Sequence, residues 1–350
     1  MALVTGTDKK DTITLEQVSA GVTGQPGGED DQVFGLFGND TIETGAGADQ
    51  GWGDIVDTIE KGKGGNDKIS TGEGEDIIVG DAANLSGKGK GGNDRADAGA
   101  DDDEVYGDAL EEMTGKSRGG DDTIDGGEGG DRLVGDADLM LESSKGGNDK
   151  ITGGAGADFM YGDGVGTNGD SRGGKDRLEG GEGDDELYGE GFELRDNAKA
   201  GNDELFGGAG DDQLWGDARS ESTDDTTTGG NDKLHGGDGD DFLVGGGGND
   251  KLWGDADSDT FDFDPGSGKD KVKDFMRGED LLDFGGYGLD FSSLDSNDDE
   301  VLNGDDEFVK AGKNKLSIDL GAASQGDAGA DVVKIAGVNE LDAADIVVAT

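Results

Sequence analysis

Cysteine is absent from this 350-residue chain, and proline occurs only 2 times. No disulfide framework is available, although a cysteine-free chain is compatible with an extracellular location. The single histidine, His235, leaves no H-E-x-x-H pair to hold a catalytic zinc. A hydrolytic triad would have to recruit His235 without any supporting pattern. No run of 18 apolar residues exists, so no membrane-spanning helix is expected. The opening MALVTGTDKKDTITLEQ has no basic segment followed by an apolar run, so no cleavable secretory leader is expected. Basic residues are scarce, 29 Lys and Arg against 84 Asp and Glu, for a formal charge of −55. Such a charge repels nucleic acid and anionic membranes. Low hydrophobicity with high net charge also marks disorder, so without ions to screen its carboxylates the chain should be largely unfolded.

What the chain has instead is glycine, 74 residues of it, without the three-residue period of collagen. From Gly229 to Trp253 it reads GGNDKLHGGDGDDFLVGGGGNDKLW, almost three copies of one nonapeptide, G-G-x-G-x-D-x-U-x, where U is large and apolar. Each phrase supplies a tight turn and a three-residue strand, which is stable only when similar strands stack on both sides and bury the U residues as one column. The expected fold is therefore all-β: a parallel β-roll or β-helix solenoid of glycine-rich nonapeptides, closed by a C-terminal β cap. Aspartate at the sixth position places carboxylates in a row at a loop edge, where they repel unless cations lie between them. Hard oxygen donors suit calcium.

From Gly35 onward the phrases recur in units of about 27 residues, each made of two nonapeptides and a spacer that usually begins Gly-Asp-Ala, as at Gly80-Asp81-Ala82. The first-phrase aspartates are Asp40, Asp67, Asp94, Asp122, Asp149, Asp176, Asp203 and Asp232. Their second-phrase counterparts are Asp49, Asp76, Asp103, Asp131, Asp158, Asp185, Asp212 and Asp241, with Asp250 and Asp259 ending the array. These 18 carboxylates are the expected calcium ligands, for about nine ions. If the spacer fills a rung of an 18-residue turn, the stacked pairs are Asp49/Asp67, Asp76/Asp94, Asp103/Asp122, Asp131/Asp149, Asp158/Asp176, Asp185/Asp203, Asp212/Asp232, Asp232/Asp250 and Asp241/Asp259. If it bulges out, the partners lie a whole unit apart, as Asp67/Asp94. The near-constant spacer length favours the rung.

The phrase and its spacing resemble those of the RTX, or haemolysin-type calcium-binding, family, roughly from Gly35 to the C-terminus. Three regions follow: a cap over residues 1–34 with one degenerate phrase, Gly6 to Thr14, the repeats over 35–263, and a capping region over 264–350. The last, richer in apolar residues such as Phe275, Phe284 and Leu316, is similar to the segment after the repeats of serralysin-type exoproteins. That resemblance implies an uncleaved type I secretion signal, matched by the ending Asp345-Ile-Val-Val-Ala-Thr350, and hence a type I ABC exporter as partner.

The inward column should be Ile42, Ile69, Ile78, Val105 and their successors to Phe261, with Gly51 and Ala96 as weak rungs. His235 falls at an outward, solvent-exposed position. Gly266-Ser267-Gly268-Lys269 lacks the rest of a phosphate loop and reads as a turn. Tyr106, Tyr161, Tyr188, Trp215 and Trp253 occupy outward positions; they either pack beneath the spacers or form a stacking ladder for polysaccharide. The expectation is a secreted, non-enzymatic calcium-binding protein that folds in extracellular calcium and serves a structural, surface or adhesive role. The alternatives are a polysaccharide-modifying or polysaccharide-binding exoprotein, with lyase or epimerase activity as the enzymatic form, and a membrane-active RTX protein.

Overall fold

The computed structural model describes residues 3–14, 19, 26–221, 228–324 and 329–347. Two parallel sheets run the length of the repeats, and a third flanks them from Ile55 to Glu221. First-phrase strands such as Thr41–Ala46, Lys68–Glu73 and Lys251–Ala256 form one, and second-phrase strands such as Gln50–Trp52, Ile77–Val79 and Thr260–Asp262 form another. Their facing sides share one hydrophobic core, where the column from Ile42 to Phe261 is buried as the phrase requires. At the weak rung of Gly51 the missing side chain is replaced from across the roll, since a Cβ there would lie 2.7 Å from Ile69 Cγ2.

The spacers make the third sheet, from Ile55–Lys63 through Ala82–Lys90 and Ala137–Met140 to Ala218–Glu221. Each spacer leaves the second-phrase sheet, folds over at a turn and returns to start the next first phrase. This arch has its own small core of Ile59, Leu85, Met113, Met140 and the alanines Ala82, Ala109 and Ala137. The spacer is therefore neither a rung of the two-sheet roll nor an irregular bulge.

Because the arch lengthens the turn, Thr41 lies opposite Lys68 and Lys68 opposite Arg95. Each phrase stacks on its own counterpart one unit later, so the 18-residue pairs Asp49/Asp67, Asp76/Asp94, Asp103/Asp122, Asp131/Asp149, Asp158/Asp176, Asp185/Asp203 and Asp212/Asp232 do not form. Beyond the last spacer, where Lys233 faces Lys251 and Phe242 faces Thr260, the turn shortens to give Asp232/Asp250 and Asp241/Asp259, each 18 residues apart; the same short turn precedes the first spacer, where Gln32 faces Gln50 and Asp31 N–H donates to Asp49 Oδ1 at 2.7 Å.

Both ends continue these sheets. Leu3–Thr5 pairs with Gln32–Phe34, and Thr12–Ile13 with Thr41–Ile42. After Phe263, Lys271–Val272 pairs with Val332–Ala336, which with Lys315–Asp319 and Val309–Gly312 forms an antiparallel sheet over the last coil. Phe275, Phe284, Leu294, Leu316, Leu320 and Ile335 extend the repeat core into this cap. Ile346 pairs with Leu282, while residues 348–350 of the expected secretion signal lie outside the described residues. Gly268 turns the chain with φ +88, and Ser267 N–H donates to Asp264 O at 3.0 Å, so this segment is the expected turn.

Candidate metal centres

Every phrase aspartate sits where a glycine-rich turn enters a strand, so its side chain points along the stack toward the neighbouring coil. The backbone N–H of Asp67 donates to Asp94 Oδ1 at 2.6 Å, Asp94 to Asp122 at 2.6 Å and Asp122 to Asp149 at 2.7 Å. The second-phrase column repeats the bond, with Asp76 donating to Asp103 at 2.7 Å and Asp103 to Asp131 at 2.9 Å. All 18 predicted ligands are buried, from Asp40 and Asp49 at the start to Asp250 and Asp259 at the end. In 17 of them, Asp259 being the exception, Oδ2 accepts no hydrogen bond. Two edges result: a spacer edge carrying the first-phrase column, and an open edge carrying the second.

A buried carboxylate with one donor is under-compensated and, without a cation, drifts toward its neutral form. On the open edge burial raises the pKa of Asp76, Asp131, Asp158 and Asp185 to about 6, and that of Asp103 to about 8, against the partial relief of the backbone N–H each accepts. On the spacer edge burial, with the charge of neighbouring carboxylates added, moves Asp94, Asp122, Asp149, Asp176 and Asp203 well above the usual range.

The stronger effect on the spacer edge has a source the phrase pattern did not include. The second residue of each spacer, Asp54, Asp81, Asp108, Asp136, Asp163, Glu190 and Asp217, is fully buried at 0% exposure beside the first-phrase column. One oxygen accepts from the glycine N–H that ends the same spacer: Gly65 to Asp54 at 2.7 Å, Gly92 to Asp81 at 2.7 Å and Gly120 to Asp108 at 2.8 Å. At the end of the first arch only glycine fits, because a Cβ on Gly64 would lie 1.6 Å from Asp81 Oδ1, whereas Ala200 fills the equivalent place in a later arch. The recurring Gly-Asp-Ala was the available signal; it read as punctuation because its aspartate falls outside the nonapeptide.

One oxygen from each of Asp54, Asp67 and Asp81 lies within 4.8 Å of the others, and the same holds for Asp81, Asp94 and Asp108. Buried, hard, donor-poor oxygens with no nitrogen or sulfur among them fit calcium, whose ligands stand about 2.3–2.6 Å from the ion. A model of the RTX calcium-binding nonapeptide repeat (4 copies) matches residues 26–57, 61–84, 88–109, 117–138, 144–164, 170–191, 197–218 and 226–261, more than half of the chain. The chain belongs to this family. It is a calcium-binding β-roll protein; no curated protein is significantly similar to it. In this RTX protein the repeats thus carry the fold and the metal chemistry together.

The aromatic residues divide between two places. Tyr106, Tyr161, Tyr188 and Trp215 are buried on the outer side of the second-phrase sheet, against Ala83, Leu110 and Val165 of the spacers. Tyr161 stacks on Tyr188 at 5.1 Å and Tyr188 on Trp215 at 4.7 Å, so their faces are occupied. Trp253 lies instead on the first-phrase sheet, 4.2 Å from the ring of His235, which stacks on Phe206 at 5.0 Å. His235 is thus no free surface residue: its side chain is 27% exposed, and Nδ1 lies 3.1 Å from Asp255 Oδ2.

A groove of about 790 Å³ lies on the returning limbs of the arches, lined among others by Lys116, Arg118, Lys145, Arg172 and Lys199. Backbone bridges hold Lys90, Arg118, Lys145, Arg172 and Lys199 in register. Five of its lining residues are basic and one, Asp170, is acidic, and it is separate from the carboxylate columns. No helix among the described residues is long and apolar enough to cross a membrane.

Proposed function

We propose that this RTX protein is exported unfolded by a type I system and folds on extracellular calcium into a non-enzymatic structural or adhesive component of a surface or matrix. The observation that carries the reading is the pair of buried aspartate columns in which Oδ2 lacks a donor. Like charges at that spacing, out of water, oppose compaction where calcium is scarce, and such a chain stays threadable. Calcium outside the cell supplies the missing positive charge, and binding to the folded form alone draws the equilibrium toward it. The secretion part rests on the resemblance of the C-terminal region to serralysin-type exoproteins. A calcium titration followed by circular dichroism tests the folding step: a cooperative gain of β signal is expected, reversed by chelator. A chain equally ordered and protease-resistant in chelator overturns the reading.

One observation favours a second role, binding of an acidic polysaccharide. The basic groove stands out on a chain of net charge −55, and like charges aligned across strands cost stability unless an anion meets them. Retention on an immobilised polyuronate, abolished by Lys145→Gln with Arg172→Gln and Lys199→Gln, is expected of this role; equal retention on neutral dextran refutes it. Depolymerase, epimerase and liposome-leakage assays are expected to be negative.

A further inference from the structure

We propose that the spacer acids are calcium ligands in their own right, each shared between two successive ions, and that these ions clamp each arch onto the roll. The inference rests on the calcium reading above and adds a ligand set that the nonapeptide does not contain.

Asp81 is the clearest case. It belongs to both close groups, Asp54–Asp67–Asp81 and Asp81–Asp94–Asp108. Its side chain is fully buried, one oxygen holds Gly92 N–H at 2.7 Å, and Oδ1 has no donor. Asp54 Oδ1, Asp108 Oδ1 and Glu190 Oε2 are likewise buried without a donor. Oxygens around one calcium ion stand up to about 5 Å apart, which the 4.8 Å groups satisfy. Among the described residues the open edge forms no group of three acids as close.

Charge supports the same assignment. Each coil brings one first-phrase aspartate and one spacer acid to the spacer edge, two negative charges, which one divalent ion per coil neutralises. Neutrality matters most where burial is deepest, because an uncompensated charge out of water is the costly state. The bond from the spacer acid to the glycine at the far end of its own arch links ion binding to arch closure. Releasing the ion leaves two rows of carboxylates in repulsion at the place where the arch rejoins the roll.

The test compares the full chain with Asp81→Asn/Asp108→Asn/Asp136→Asn, and with the open-edge control Asp103→Asn/Asp131→Asn/Asp158→Asn. Bound calcium is counted by equilibrium dialysis, and trypsin cleavage is followed at Lys116 and Arg118, exposed on the arches. The spacer variant is expected to bind about two to four fewer ions, and its arches to be cut roughly tenfold faster, while the control, which also loses expected ligands, shows a clearly smaller rise in arch cleavage. An unchanged ion count, or equal arch cleavage in both variants, overturns the proposal while leaving the calcium reading intact. A parent chain that binds no calcium overturns both. Should the triple variant not order in calcium, Asp108→Asn alone is read the same way: a lost ion supports the assignment, and an unchanged count refutes it.

Discussion

The two edges of the roll are made from the same nonapeptide and behave differently. On the open edge a single row of aspartates joins one strand to the next, with pKa values raised to about 6 at Asp76, Asp131 and Asp158. On the spacer edge an arch covers the row and adds a second acid per coil, and the carboxyls from Asp94 to Asp203 rise further. The chemistry of a repeat is therefore set by what lies over it as much as by its own residues. A motif that reads alike at both edges lays down a shallow line of carboxylates at one and a deep, doubly acidic line at the other.

The largest expected effect separates the edges by pH in calcium-free buffer. A carboxyl whose pKa is raised by folding stabilises the fold in its neutral form; the gain is full below the unfolded value near 4 and is lost as pH rises through the folded value. Without calcium the chain should thus be most ordered near pH 4, and should lose order as the pH passes about 6 to 8, where Asp76, Asp131 and Asp103 ionise. The open edge should yield first and the spacer edge at higher pH, seen by hydrogen exchange at the two sets of aspartate amides. Simultaneous loss at both edges would erase the distinction.

A smaller effect is expected from Gly80→Ala, which would set a Cβ 1.7 Å from Gly107 O and 2.5 Å from Asp94 Oδ2. The calcium-saturated protein should lose about 2–4 kcal/mol in denaturant unfolding. The same exchange at Gly27, on the open side before the first arch, meets only Asp31 Oδ2 at 3.9 Å and should cost far less. The smallest effect is His235→Ala, which breaks the Phe206–His235–Trp253 stack at a distance from both edges. A loss of about 0.5–1.5 kcal/mol is expected, with calcium stoichiometry unchanged.

The nonapeptide made the buried column from Ile42 to Phe261 and the aspartate rows readable without coordinates, because strand periodicity and glycine turns are local properties. The coil length was not readable. Nine residues are enough for another rung or for an arch, and which one forms depends on whether Leu85, Met113 and Met140 find one another across successive units. That choice moved the partner of Asp67 to Asp94 and brought Asp81 beside both. His235 shows the same limit, since an outward position on one strand says nothing of the rings above and below it.

Sequence alone determined that this chain is a glycine-turned parallel solenoid with carboxylates in rows, since steric freedom at glycine, alternation along a strand and the charge of aspartate belong to single residues and their near neighbours. Only the tertiary structure decided which carboxylates meet and how deeply each is buried. Those depend on the path of the spacer between phrases, and that path is set by contacts between residues one whole coil apart.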